Sequence, residues 1–425
     1  MTTWKERLFL TKHQKMEQFS IAFLCLSISA VLMLCLGLYQ SFVHDQSVIS
    51  DKAMFNTRFK TSKTNTSGKV VGVYSNTNKT KTMVMLKFED TDRISIDANN
   101  YNMFVTAADV SGNMHRIKSA PIGSVYVFGD TGYVGLYLVN NAGFDKQILQ
   151  ITVRANLELV KQLANQSQGD EKKKDQSFEK FDQFNVYCNP GAEKAITISA
   201  LNTDGMPDAS EVYRDTVGSM KLEELKLETK ASMSELEIGL NKVKEHTKRM
   251  ENNNIEFPEL SRMVVGDVIS HTGKKSDIKF DYKFETNAKG ALEFDWQNNT
   301  FKEGFIKPAM QNYKDSTITS TKDFLMTQAL DAKENKTNLQ LDIRSWKLTD
   351  GRVIEDLNTT DVVNDEYTQI NKVCQDYVTV LSDYYRDKIN FQTKQLRKFL
   401  QLESEVKDIN ELCTIHQGDD VLKVY

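Results

Sequence analysis

The stretch from Phe19 to Tyr39, FSIAFLCLSISAVLMLCLGLY, contains no charged residue and no proline. As a helix rising about 1.5 Å per residue it matches the ~30 Å hydrocarbon layer of a bilayer, where every backbone polar group needs a partner within its own segment. Its upstream flank carries Lys5, Arg7, Lys12 and Lys15 against Glu6 and Glu17, whereas Asp45 and Asp51 follow it. The positive-inside rule then keeps the N-terminus in the cytoplasm and sends the remainder outward. A cleaved signal peptide has a shorter apolar core and small residues at its cleavage site, which Leu38, Tyr39, Gln40, Ser41, Phe42 and Val43 do not supply. A soluble core helix this uniform needs a larger apolar surround than the polar remainder offers. The expected location is the cell membrane, single-pass, with the C-terminus extracytoplasmic.

Charge narrows the partners. Acidic and basic residues nearly cancel, 58 against 54, so there is no broad basic field and a nucleic-acid partner is not expected. Membrane lipid is the expected partner of residues 19–39. Cys25 and Cys35 lie within that segment, ten positions and thus about 15 Å apart on one helix, beyond disulfide reach. Cys188, Cys374 and Cys413 would face the outer compartment. One disulfide with a leftover thiol, a crosslink between subunits through Cys374 or Cys413, and three reduced thiols all fit the spacing. Cys374 and Cys413 cannot pair with each other along one continuous helix, being about 58 Å apart.

The rest of the chain alternates between strand-like and helical character. After a cytoplasmic tail (1–18), the apolar helix (19–39) and a polar juxtamembrane linker (40–67), short apolar bursts separated by turn-formers predict an antiparallel β-sandwich-like domain over 68–160. The bursts are VVGVY at 70–74, TMVMLKF at 82–88, RISI at 93–96, MFV at 103–105, SVYVF at 124–128, YVGLYLV at 133–139 and QILQITVRA at 147–155. In the last, Leu149, Ile151 and Val153 alternate with Ile148, Gln150 and Thr152, as in a strand with one face on a core. A linker with short strands, FNVYC and AITIS, covers 161–208.

Two long amphipathic helices are predicted over 209–254 and 364–413, coiled-coil-like in their heptad rows and flanking a mixed β/α region over 255–363. Leu236, Leu240 and Val243 form the stripe of the first, and Ile370, Tyr377, Tyr384, Phe399 and Val406 that of the second. After Phe391 the heptad register shifts by an extra four residues, a stutter that locally unwinds a supercoil. These eight residues are the expected interaction seam, running antiparallel within one chain or between subunits. In the mixed region, DIKFDYKF, ALEFDW with Trp296, and LQLDIRSWKL read as strands. Met310–Asn335 reads as a helix anchored by Phe324, Leu325 and Leu330. Residues 414–425 read as a C-terminal tail.

The chemistry-bearing motifs are missing from the sequence. The six histidines form no HExxH pair, and neither GxxxxGK[ST] nor GxSxG occurs. Asp90, Asp92, Asp97, Asn99 and Asn100 lack the spacing of a calcium loop and read as solvated turn residues. No catalytic residue, cofactor or metal is expected, and the chain is not expected to be an enzyme. The architecture points to a single-pass structural or adhesion subunit of a surface assembly. Its expected partners are further copies of itself or other envelope and surface proteins, met through the β domain and the long helices. The alternative is a membrane-anchored sensor or receptor for an external ligand.

Overall fold

The computed structural model describes residues 15–108, 114–115, 117, 120–156, 181–256, 284–285, 291–292, 298, 300–311, 313, 315–334, 341–358, 365–418 and 420–425. It is a mixed α/β protein with an N-terminal apolar helix, two larger β-sheets and two long helical arms. Two compact units divide it, one from residues 1–212 with 411–425 and one from 213–410.

The first unit opens with helix α1 (Lys15–Asp51), whose segment Ala22–Ser41 is long and apolar enough to cross a membrane and has none of its surface buried in the protein. It is the single such helix among the described residues. Polar bonds hold its C-terminal end. Asn189 Nδ2 donates to the Ile49 carbonyl at 2.5 Å, the Glu193 amide donates to the Ser50 carbonyl at 2.9 Å, and Lys194 pairs with Asp51 at 2.9 Å. The juxtamembrane stretch 40–67 continues the helix to Asp51 and then joins the sheets.

Those sheets contain β1 (Arg58–Lys60), β2 (Ser67–Ser75), β3 (Lys81–Phe88), β4 (Tyr101–Ala108), β5 (Met114–His115), β6 (Ile122–Phe128), β7 (Tyr133–Val139), β8 (Ile148–Ala155), β9 (Gln183–Cys188) and β10 (Ile196–Thr197). The C-terminal strands β13 (Cys413–Gln417) and β14 (Leu422–Val424) complete them. One sheet runs β1-β2-β3-β7-β6-β13 with β10 on β2, and the other runs β14-β4-β8-β9 with β5 on β4. Val84, Leu86, Val125 and Val127 of the first share a buried cluster with Met103, Val105, Ile151 and Val153 of the second. The far face of the first sheet is covered too. Met83, Met85, Tyr126 and Tyr137 are buried there, Tyr126 donates to the Pro207 carbonyl at 3.1 Å, and Lys81 donates to the Thr203 carbonyl.

Two expectations for this unit need correction. RISI at 93–96 is a turn-rich loop, because its backbone is bonded locally: the Ser95 amide donates to the Tyr101 hydroxyl at 2.7 Å and the Asp97 amide to Ser95 Oγ at 3.2 Å. Residues 414–425 are not a tail. Thr414 pairs with Val127, and Leu422 pairs in parallel with Met103. The Met103 amide donates to the Val421 carbonyl at 2.7 Å, and Val421 is fully buried. The short linker strands return to the sheets, β9 beside β8 and β10 beside β2.

Toward the second unit the chain runs through α2 (Ala209–Tyr213), a π turn over Arg214–Gly218, and α3 (Ser219–Asn252). The hairpin β11 (Phe284–Glu285) and β12 (Ala291–Leu292), then α4 (Ile306–Gln311) and α5 (Thr321–Glu334), follow. Last come α6 (Asp365–Asn390), a second π turn over Phe391–Gln395, and α7 (Leu396–Leu412). The helix expected to Cys413 stops at Leu412, since Cys413 already pairs with Phe128. The π turn falls where the heptad register shifts after Phe391. An inserted π turn rotates the buried face, as a register shift requires.

Among the described residues, the stretch from 341 to 348 of the mixed region is less strand-like than its alternation predicts. Most of DIKFDYKF, and Trp296, lie outside the described residues. From 341 to 348 the chain forms a 3-10 turn at Ile343–Ser345 and isolated bridges at Lys347 and Leu348. Asp342 causes this, its carboxylate accepting from the Arg344 amide at 3.2 Å and so turning the chain out of a ladder. Met310–Asn335 divides between α4 and α5. There Phe324 is buried and Leu325 packs on the core, but Leu330 is exposed, so it is no anchor.

Candidate interaction site

Helices α3 and α6, continued by α7, run antiparallel within one chain. The pairing can be followed from end to end. Gln369 Nε2 donates to Asn253 Oδ1 at 3.2 Å, Lys398 and Gln395 both reach Glu228, and Lys221 meets Glu405 at 2.5 Å. Tyr213 donates its hydroxyl to the same Glu405 carboxylate. A helix of 34 residues such as α3 is about 51 Å long, far beyond the usual three or four turns, and is held by a partner along its length.

All eight seam residues are buried inside this pairing. Leu236, Leu240 and Val243 point from α3 into the same cluster as Ile370, Tyr377 and Tyr384 of α6 and Phe399 of α7, and Val406 lies against Gly218. Phe399 sits 5.4 Å from Phe305 and 6.2 Å from Phe284, ring to ring, and Trp346 meets Tyr377 edge-on. Gly239 explains how Tyr384 fits: a Cβ there would stand 3.2 Å from Tyr384 Cδ2. The helix accepts a glycine, about 1 kcal/mol poorer than alanine, where the ring comes closest. Burial pushes the Tyr377 hydroxyl well above its ordinary pKa.

A buried carboxylate that the sequence reading missed anchors α4. Glu403 accepts from the Ile306 amide at 2.7 Å and from the Phe305 amide, and Lys407 reaches its other oxygen at 2.6 Å. Gly304, at φ +75°, brings the chain past Glu403 where a Cβ would stand 3.1 Å from the carboxylate. A carboxylate enters a core only where donors await it, and here they come from a distant segment. Beside the second π turn lies an open groove of about 300 Å³, lined by Glu228, Glu235, Asp387, Lys394, Gln395 and Lys398 among others. Gln395 is buried, and its Oε1 has no hydrogen-bond partner among the described residues.

The cysteines stay apart. All five are free, Cys188 and Cys374 buried and Cys413 half-buried. Burial pushes the thiols of Cys188, Cys374 and Cys413 up to about 12, so each is a protonated filler at neutral pH. Among the described residues no group of three or more His, Cys, Asp or Glu is arranged to hold a metal ion. Asp90 and Asp97 instead accept from the amides of Asp92 and Asn99 in local turns. Comparison of the chain with protein-family models, curated proteins and solved structures finds no match.

Proposed function

We propose that the chain is a single-pass membrane-anchored structural or adhesion subunit of a surface assembly, acting by contact and not by catalysis. Its Ala22–Ser41 segment crosses the bilayer with the N-terminus in the cytoplasm. The β-sandwich-like unit and the coiled-coil-like helical pair are displayed outside. The observation that carries this reading is α1 itself: its apolar side chains, Phe19 at 74% and Met33 at 73% exposure among them, have no protein to cover them. In water so many exposed apolar groups on one helix are unfavourable, whereas lipid solvates them. The polar bonds at Ile49, Ser50 and Asp51 support a firm junction between the anchor and the displayed sheets.

Alkaline extraction of cell membranes, with protease digestion of intact cells, tests this reading. The full chain is expected to stay in the pellet at high pH and to be cut from outside, while a chain lacking residues 1–41 becomes soluble. Release of the full chain by alkali, or full protection from external protease, sinks it. The groove beside the π turn favours a second reading, a sensor for an external ligand. Such a sensor passes its signal through residues 1–18, so scrambling that segment with its charges retained abolishes function in a sensor and spares a structural subunit.

A further inference from the structure

The groove beside the second π turn has its charges sorted by sign along the helical pair. Its floor is apolar, with Leu236 of α3 and Phe391 of the π turn both buried, and half-buried Ser232 and Asn390 line it as well. Gly239 lies against Tyr384, and Gln395 reaches Glu228. Counting along the antiparallel helices from those contacts sets Glu235 level with Asp387 at one end, and Glu228 level with Lys394 and Lys398 at the other. The two ends are about two turns, ~10 Å, apart on either helix. Lys398 neutralises Glu228. Lys394 and Glu235 make no ion pair or side-chain hydrogen bond among the described residues. Asp387 has its neighbour Arg386 at 3.3 Å, which also serves Asp383 at 2.9 Å. One end therefore keeps a surplus of negative charge and the other an unmatched ammonium.

Gln395 adds a buried acceptor. It is 6% exposed, its Oε1 has no partner among the described residues, and its amide nitrogen makes one long bond to Glu228 at 3.4 Å. The heptad row through Tyr377, Tyr384 and Phe391 would carry Gln395 into the core of an unbroken α-helix. The π turn sets it back to the groove wall, and such turns recur at functional sites.

We propose that this groove binds a short peptide of about three residues by its two free termini, the ammonium between Glu235 and Asp387 and the carboxylate on Lys394. An extended chain of three residues spans ~10 Å, the separation of the charged ends. A turn of the Gln395 amide about its soft last torsion presents Oε1 to a peptide N–H, which supplies the missing donor. Small side chains rest on Leu236 and Phe391, and the groove of about 300 Å³ suits residues no larger than alanine. A simple cation leaves Lys394 unmatched, and a simple anion leaves the two carboxylates unmatched. The site gives the sensor reading its ligand and rests on that reading only for what binding does, since binding itself needs no signal.

The test titrates tri-alanine into the full chain in detergent micelles by calorimetry. Saturable binding with Kd at or below ~1 mM is expected, and blocking either terminus, as N-acetyl-tri-alanine or tri-alanine amide, should weaken it at least about tenfold. Aminohexanoate, with its amine and carboxylate at opposite ends of a similar span but no peptide amide, should also bind more weakly. Lys394→Gln should weaken tri-alanine as much as amidation does, and the two losses should not add. Glu235→Gln with Asp387→Asn should stand in the same relation to acetylation. All three side chains are exposed, so the thermal transition stays unchanged and a lost fold is not mistaken for a lost site. Absence of saturable binding by the intact chain, capped peptides or aminohexanoate bound as tightly as tri-alanine, or variants that bind as before each overturn the proposal. The membrane-anchored reading survives any of these results, and scrambling residues 1–18 judges the sensor reading separately.

Discussion

The two units solve the problem of a core in opposite ways. The sheet unit closes over long sequence distances: the C-terminal strands β13 and β14 pair with β6 and β4, about three hundred residues earlier. Aliphatic side chains and closely fitted methionines such as Met83 and Met103 make up most of its core, beside a smaller ring cluster of Phe59, Phe88 and Phe184. The helical unit closes along a single antiparallel pair and hangs on rings, Phe284, Phe305, Phe391, Phe399, Tyr377 and Tyr384. One core therefore depends on where the chain returns, and the other on what a few positions carry. The difference follows from periodicity. A strand offers every second residue and needs neighbours on both edges, whereas a helix presents a continuous stripe to one partner.

Removing residues 413–425 should break the first kind of core most severely. It uncovers the edges of β6 and β4, takes out the fully buried Val421, and leaves rows of unpaired backbone donors and acceptors. Calorimetry is expected to lose the cooperative transition of the sheet unit, while hydrogen exchange in α3 and α6 stays slow. Equal loss of protection in both units would show that they do not fold separately. Phe399→Ala makes the reciprocal cut. It empties a site touched by Phe284 and Phe305 and should cost about 3–5 kcal/mol, read as faster exchange in α3, α6 and α7 with the strands unaffected. A loss below about 1 kcal/mol would mean the rings collapse onto the gap, and that the helical core is less dependent on single positions than the comparison holds.

The smallest effect is expected where the helical pair meets water. Lys398, hydrogen-bonded to Glu228, is the first cause holding the Glu228 carboxyl below the usual glutamate range. A carboxyl with a depressed folded pKa contributes stability above its unfolded pKa and loses it as pH falls through the folded value. Both side chains are largely in solvent, so Lys398→Ala should cost no more than ~0.5 kcal/mol at neutral pH. That cost should fade in denaturant titrations carried toward acid. A cost that persists unchanged in acid would trace instead to packing of the lysine stem.

Much of this architecture was legible in the residues. The apolar run at Phe19–Tyr39 declares a helix, since length and uniform hydropathy are local properties. Most of the strand bursts in 68–160 are strands because Val, Ile, Tyr and Phe suit a pleated surface wherever it lies. RISI misled because four residues of strand composition do not make a strand when the Thr91 carbonyl and the Tyr101 hydroxyl capture the amides of Ile94 and Ser95. Leu330 misled because a weak helical period does not say which face is covered. Glu403 was invisible because its donors, the amides of Phe305 and Ile306, come from a segment about a hundred residues away.

By itself the sequence determined the apolar helix, the existence of two long amphipathic helices, the inner stripes that run along them, and the register break after Phe391. Each is written in spacing that any short window of the chain contains. Only the tertiary structure decided that the stripes face each other inside one chain and that the last residues close both sheets. A heptad row specifies that a helix needs a partner without naming it, because the partner's identity resides in long-range pairing that no local window holds.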